Sequence, residues 1–284
     1  MVRNLLNNNL TKITASVVLY NTSAEMLKRL LASIKNAHII DIVYLIDNSP
    51  MISDYDFSEN NTVNYLWANQ NLGYGAGHNI ALRLAIQSGV NFHFVLNPDI
   101  YFEPQELSKM IERIKGDDAV GQLMPKVIYP NGSLQHLCKL IPTPLDLFFR
   151  RFLCGPLKVF ARKKAENYEL RFTGYNKEMN VPCLSGCFML FRISALKDIG
   201  LFDEHFFMYT EDFDISRRMH AKYKTLFFPG ATVIHEHAKE SYKNKKMLLI
   251  HIISVIRYFN KWGWFFDQGR KEINEATLKS LSKH

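Results

Sequence analysis

Strand-like and helix-like stretches alternate along the first part of this chain, and three of the strands end in polar residues. Ile13-Thr14-Ala15-Ser16-Val17-Val18-Leu19-Tyr20 is β-rich and mostly apolar, and it runs into Asn21. Ser23 can cap a helix that carries Met26, Leu27, Leu30, Leu31 and Ile34 at helical spacing. Ile42 to Asp47 reads as a second strand closed by the turn-forming Asn48-Ser49-Pro50. A short strand near Val63 to Trp67 follows, then a helix from about Gly77 to Ser88. The strand Phe92 to Leu96 ends in Asn97-Pro98-Asp99. Alternation of this kind predicts a parallel α/β sheet, and such sheets bind ligands beyond the carboxyl ends of their strands. Tyr20-Asn21, Asp47-Asn48 and Asn97-Pro98-Asp99 are therefore expected at one edge. Each one taken singly also fits an ordinary strand end.

The second half differs. Residues 121–183 carry several prolines, a Tyr129-Pro130-Asn131-Gly132 turn and a basic–aromatic stretch from Phe148 to Lys164, and they read as an insertion or mobile flap. Beyond them, Ser185 to Arg192 is strand-like and leads into a helix to about Ile199. The acidic segment 202–214 opens another helix. Thr225 to Pro229 and Ala231 to His235 form the last strand region.

With 284 residues, 47% of them hydrophobic and 13% aromatic, the chain can bury a sizeable core, which excludes disorder. The net charge of +8 is uneven. Six basic residues and no acid lie between Arg150 and Lys164, and ten Lys/Arg face four Asp/Glu from Lys239 onward. A polyanionic partner is implied near these segments: nucleic acid, anionic lipid or a diphosphate. Cys138, Cys154, Cys183 and Cys187 match neither a disulfide framework nor a paired zinc pattern, so reduced thiols are expected. No apolar run reaches bilayer-spanning length, and the Asn-rich start lacks the apolar run expected of a signal peptide. The protein is expected in the cytoplasm.

Several constellations can carry chemistry. In Phe206-Phe207-Met208-Tyr209-Thr210-Glu211-Asp212-Phe213-Asp214, adjacent carboxylates sit among large apolar side chains. Partial desolvation would raise their pKa toward a range useful to a general base. The same acids also suit the first turn of a helix. Asp99 could tether a hard cation whose other ligands are phosphate oxygens. His235 could add an imidazole. Three glycines in Asn71-Leu72-Gly73-Tyr74-Gly75-Ala76-Gly77 fit a flexible loop over a ligand, although their spacing is neither the dinucleotide fingerprint nor a Walker loop. Residues 246–266 are apolar, basic and Trp-containing. They fit an interfacial helix or one packed on protein.

Taken in order, Val18-Leu19-Tyr20-Asn21, Ile46-Asp47-Asn48-Ser49, Asn71-Leu72-Gly73-Tyr74-Gly75, Leu96-Asn97-Pro98-Asp99, Ser185-Gly186-Cys187, the Phe206 to Asp214 run, and His235 with Ser241 resemble the inverting family 2 glycosyltransferases, most of all the bacterial rhamnosyltransferase-like branch. The resemblance implies a GT-A-type, Rossmann-like nucleotide-binding domain with a mixed central sheet over residues 12–242. A flap around 138–182 and a helical C-terminal extension over 243–284 complete the expected division. It implies that Tyr20, Asn21, Asp47, Asn48, Asn71, Gly73 and Asn97 line the nucleotide-sugar site, and that Arg218 contacts the diphosphate or flanks the acceptor. Asp99 and His235 would bind Mg²⁺ or Mn²⁺, Asp212 would be the catalytic base and Glu211 a supporting acid. Asn97 stands where many relatives have the first Asp of Asp-x-Asp, which removes a negative charge from the expected metal site.

The implied donor is a dTDP- or UDP-sugar, with rhamnose the first choice. The implied acceptor is a saccharide, lipid-linked at the inner face of the membrane, in surface polysaccharide synthesis. Nucleic acid is not an expected partner, and a homodimer is compatible. Two rivals stay open: a non-catalytic sugar-nucleotide- or polyanion-binding module, and a nucleotidyltransferase. The second lacks a basic, Gly-rich phosphate loop near the first strand.

Overall fold

In the computed structural model, residues 11–57, 61–147, 166–236, 245–267 and 269–282 are described. The chain runs β1 (Ile13–Leu19), α1 (Ala24–Ala37), β2 (Ile42–Asp47), β3 (Val63–Trp67), α2 (Tyr74–Gln87), β4 (Phe92–Leu96), β5 (Ile100–Tyr101), α3 (Pro104–Lys115) and β6 (Val120–Ile128). It continues through β7 (Met179–Asn180), β8 (Phe188–Arg192), α4 (Ile193–Ile199), α5 (Glu211–His220) and β9 (Lys224–His235). Two helices, α6 (Lys245–Trp262) and α7 (Arg270–Leu281), follow.

The strands make one mixed sheet in the order β3-β2-β1-β4-β8-β6-β9-β5, with β7 also on β9. Strands β3, β2, β1 and β4 are mutually parallel, so the ends carrying Asn21, Asn48 and Asn97 fall on one edge. Strand order reverses at β1, with β2 on one side and β4 on the other. Such reversals open a crevice at the carboxyl edge. Near-continuous apolar residues in β1 and β4 are buried on both faces, as parallel strands with helices above and below require. Leu27, Leu30, Leu31 and Ile34 of α1 join Leu107, Met110 and Ile114 of α3 in the larger core. Helices α2 and α4 cover the other face through Leu82, Ala85, Ala195 and Leu196. Ser23 caps α1, its hydroxyl accepting from Met26 N at 3.2 Å.

Three sequence expectations change. The glycines after Asn71 do not form an open loop, because α2 begins at Tyr74 and Gly75 and Gly77 lie in its first turn. They permit close packing instead: a Cβ at Gly75 would sit 2.9 Å from Phe202 Cβ, and one at Gly77 would sit 2.7 Å from a Val18 methyl. The segment that opens the proline-containing stretch is a central strand, β6, between β8 and β9. Pro125 is tolerated there because the β6–β9 register shifts between Pro125 and Lys126, where a ladder N–H is not needed. Further along, Cys138, Leu140, Tyr168 and Tyr175 are buried in a cluster of their own, so the described residues on both sides of the expected flap are anchored. The basic core of that flap, 148–165, with Cys154, lies outside the described residues, as does Ser241. Cys138, Cys183 and Cys187 are free and buried.

Candidate functional site

At the carboxyl edge, Tyr20 is half exposed beyond β1. Asn21 has a φ of 48° and donates its N–H to Ser49 Oγ at 2.8 Å, joining the ends of β1 and β2. Asp47 is fully buried. Its Oδ1 accepts from Ser49 N (2.9 Å), and its Oδ2 accepts from Ser53 Oγ (2.7 Å) and Tyr65 Oη (2.6 Å). Burial opposes this charge, but those hydrogen bonds outweigh it and hold the pKa below the ordinary 3.8. Here the carboxylate expected to meet base or ribose faces the protein and shapes the edge by fixing Ser49, Ser53 and Tyr65. Trp67, partly exposed at the end of β3, donates its indole N–H to Ser49 O at 3.0 Å and offers an aromatic face that sequence reasoning did not single out.

Asn48 Nδ2 donates to Gly73 O at 3.0 Å, and Asn71 Oδ1 accepts from Gly73 N at 3.0 Å. The two asparagines thus pin the start of α2 from either side. Gly73 has a φ of +86°, and a Cβ there would lie 2.3 Å from Phe207 O. Only glycine lets this turn touch the 206–210 loop, where Tyr74 N donates to Phe207 O at 2.9 Å.

Asp99 and His235 come together although 136 positions apart, because β5 pairs antiparallel with the end of β9 and aligns Ile100 with His235. His235 Nε2 lies 3.3 Å from Asp99 Oδ1 and 3.5 Å from Asn97 Nδ2. The orientation of Gln135 is set by donation to His235 O at 2.7 Å, so its Oε1 faces His235 Nδ1 at 2.9 Å and accepts a hydrogen bond from that N–H. That leaves Nε2 facing the asparagine and the aspartate. Burial opposes charge on the imidazole, but Cys187 and Asp99 beside it outweigh burial and push its pKa up to about 10.

A divalent cation is testable against this donor set. Among the described residues no group of three or more His, Cys, Asp or Glu could enclose an ion, so an all-protein cage is excluded there. One carboxylate, with one imidazole whose far nitrogen is held by Gln135 and whose Nε2 proton the cation would displace, fits a cation that takes its other ligands from phosphate and water.

Glu211 and Asp212 open α5. Asp212 Oδ2 accepts from Gly186 N (3.1 Å) and Oδ1 accepts from Phe213 N (2.9 Å). Burial raises the pKa of both acids, the charge of Asp212 raises Glu211 further, and Lys139 opposes the rise at Asp212. Lys139 is itself buried, with Nζ 5.2 Å from the centre of the Phe213 ring. The Ser185-Gly186-Cys187 stretch links the two halves: Gly186 N holds Asp212, and Cys187 O accepts from Asn97 N at 2.9 Å. Tyr74 Oη donates to Gly186 O. Burial and the charges of Glu211, Cys187, Asp212 and Asp99 together hold this phenol well above its ordinary pKa, so it stays a neutral donor beside the acids. Sequence reasoning missed Lys139 and Gln135, which lie in the proline-containing segment with no periodic signal. Tyr74 stood inside a quoted motif but was not singled out.

The loop ahead of these acids is strained. Tyr209 has a φ of 94°, rare for a bulky residue. Helix α6 holds it there: His251 packs on the Tyr209 ring at 4.8 Å, and Thr210 Oγ1 donates to Ser254 O at 3.1 Å. Arg218 is expected to contact the diphosphate or to flank the acceptor. Its guanidinium donates to Asp214 Oδ2 (2.9 Å), Ile199 O (2.7 Å), Gly200 O (3.1 Å) and Leu201 O (2.7 Å). It ties α5 to the end of α4.

The parallel half-sheet, its reversal at β1 and the acids gathered along one edge define a GT-A-type nucleotide-sugar fold. The family model for glycosyl transferase family 2 matches residues 14–200, and the chain belongs to that family. A curated relative, the N-acetylglucosaminyl-diphospho-decaprenol L-rhamnosyltransferase of Mycobacterium tuberculosis, is 28% identical over 183 residues, covering 59% of this chain. The match spans 57% of that relative's own length. Among solved structures, GalNAc-T7 with UDP, GalNAc and Mn²⁺ superposes with a TM-score of 0.56 at 14% identity, over 81% of this chain and 44% of that one. S. aureus TarS 1–349 in complex with UDP gives 0.53 at 15% identity, over 96% and 72%. At these identities the structural likeness speaks for the fold.

Proposed function

We propose that this protein is an inverting glycosyltransferase that moves a sugar, rhamnose in the first instance, from a nucleoside diphosphate to a hydroxyl of a saccharide acceptor. The observation that carries the reading is the pair of acids at the start of α5, joined through Gly186-Cys187 to Asp99 and His235 at the sheet edge. Asp212, held by Gly186 N and Phe213 N, accepts the proton of the acceptor hydroxyl as its oxygen attacks the anomeric carbon. The bond from that carbon to the diphosphate oxygen breaks on the opposite face, and its electron pair leaves with the diphosphate. Glu211, with its raised pKa, supports the base as a neutral neighbour. Asp99 and His235 would hold a divalent cation, whose chemistry is to stabilise negative charge on the leaving diphosphate. Tyr20, Asn21 and Trp67 line the nucleotide side.

The M. tuberculosis relative is named for a rhamnosyl transfer to a diphospho-decaprenol-linked sugar, and this supports a lipid-linked acceptor at the inner face of a membrane. A nucleotidyltransferase would need a basic, Gly-rich phosphate loop near the first strand, and the turn after β1, Tyr20-Asn21-Thr22-Ser23, carries neither a basic residue nor a glycine. The test is calorimetric titration of dTDP, UDP and their sugars with and without Mn²⁺ or Mg²⁺, followed by turnover of dTDP-rhamnose with a polyprenyl-diphosphate saccharide. Metal-dependent binding of a nucleoside diphosphate is expected. No such binding with either nucleotide would overturn the reading.

A further inference from the structure

Helix α6 presents two unlike faces. Its inner face buries Ser254, Tyr258 and Phe259, and it grips the acid-bearing loop and α5. Trp262 Nε1 donates to Asp214 Oδ1 at 2.9 Å, and Lys261 Nζ reaches Asp203 and Asp214, each at 2.7 Å. The outer face exposes Leu249, Ile252, Ile253 and Ile256, spaced i, i+3, i+4 and i+7 on one stripe. In the turn that follows, Phe265 is 83% exposed and Phe266 is 97% exposed. Singly exposed apolar side chains are ordinary, whereas four on one helical stripe, with two bare phenyl rings in the turn that follows, mark a contact surface. No described residue covers it.

Charge decides between a second copy of the chain and a lipid surface. Within 245–267 the basic residues Lys245, Lys246 and Arg257 are exposed, while Lys261 is turned inward onto Asp203 and Asp214. The single acid there, Asp267, has a fully buried side chain paired with Arg217. The exposed charge along this helix is therefore all positive. A two-fold contact through the stripe would set these cations against their own copies with no acid between them. An anionic bilayer complements both features, since the aliphatic stripe and the phenyl rings enter the boundary between headgroups and acyl chains while the cations meet lipid phosphates. Among the described residues no helix is long and apolar enough to cross a membrane, so this geometry is one of lying along the surface.

We infer that the outer face of α6, with Phe265 and Phe266, is a docking surface for an anionic lipid bilayer. The inference rests on the lipid-linked acceptor reading for its purpose. Because the inner face of α6 holds α5, docking brings the Glu211-Asp212 end of the site within roughly one helix diameter, ~10 Å, of the lipid.

The test is co-flotation of the full chain with vesicles of phosphatidylglycerol and phosphatidylcholine, against phosphatidylcholine alone. It is repeated for Ile253→Ser/Phe265→Ser/Phe266→Ser and for Lys245→Glu/Lys246→Glu. Thermal unfolding and metal-dependent dTDP or UDP binding are followed alongside. The wild type should float with anionic vesicles, less so as salt is raised, and both variants should bind roughly tenfold or more weakly with unfolding temperature and nucleotide binding unchanged. Absence of flotation would overturn the inference. So would equal flotation of the variants, because basic segments elsewhere would then account for it. A wild-type dimer that the triple variant converts to monomer would overturn it in favour of the second copy. Failure of vesicle binding with nucleotide binding intact rejects the docking surface alone. Failure of nucleotide binding rejects the glycosyltransferase reading instead.

Discussion

Replacing Asp267 with alanine tests whether the C-terminal helices are an integral part of the catalytic fold. Asp267 precedes α7, and its carboxylate faces Arg217 of α5, with one oxygen accepting from Arg217 Nη1 at 2.7 Å. The two side chains are 0% and 4% exposed, so water and salt screen the pair little. Arg270 Nη1 lies 3.5 Å from the same carboxylate. Removing the Asp267 carboxylate leaves two buried guanidinium groups beside each other, with the Trp262 ring 4.0 Å from that of Arg217. Breaking a buried pair by deleting one member costs about 3–5 kcal/mol, mostly from the stranded charge. At ~2 °C per kcal/mol for a domain of this size, the unfolding temperature should drop by about 6–10 °C. Urea unfolding, followed by Trp fluorescence and circular dichroism together, measures the loss. Arg217→Met with Asp267→Leu should recover part of it, because Arg217 no longer strands a charge while Arg270 keeps only the carbonyls of Pro142, Trp264 and Phe265. A loss under about 1 kcal/mol for the single variant would refute the reasoning. The pair would then be solvated, and α6–α7 would not share a cooperative unit with α5.

Asp212→Asn should lower kcat by roughly 10²- to 10⁴-fold with nucleotide binding retained, and near-normal turnover would remove Asp212 as the base. Since burial raises the Asp212 pKa above 3.8 and only its ionised form accepts a proton, kcat/KM should climb with pH on a limb lying above that value. Lys139 opposes the rise, so Lys139→Met should move the limb to higher pH, and an unmoved or lowered limb counts against the assignment. Asp99→Ala should abolish metal-dependent nucleotide binding in calorimetry, and Gln135→Leu, which frees His235 Nδ1, should weaken it by about 10- to 100-fold. Equal binding in both would dismiss the cation site. In the buried chain Thr14–His93–Ser16–His78, burial lowers His93 to about 3 and His78 well below 6.5. The unfolded chain then binds protons that the folded one does not. Stability should fall as pH drops from 6.5 toward 3, by up to ~1.4 kcal/mol per unit for each histidine, and a flat urea midpoint between pH 6.5 and about 5 would contradict this.

The sequence by itself determined the elements that rest on local pattern. β2, β3 and β4 run as their apolar stretches indicate, Ser23 caps α1, and the polar ends of β1, β2 and β4 are legible because a parallel sheet must put them on one edge. The acid pair stood out because two adjacent carboxylates lie among aromatic residues, and the structure puts it in the first turn of α5. The tertiary structure decided everything that depends on contact between distant segments. Asp99 meets His235 only through the β5–β9 pairing, and Gln135 and Lys139 enter the site from a stretch whose prolines and missing periodicity resemble a loop. The glycines after Asn71 read as flexible because the sequence does not reveal Phe202 and Val18 pressing on them. Nothing local to Arg218 announces the three carbonyls between α4 and α5 that it caps. Periodicity and end residues are encoded within a few positions, so sequence carries them. Which side chain a charge or an amide finally faces is set by packing across the whole chain, and only the folded protein decides it.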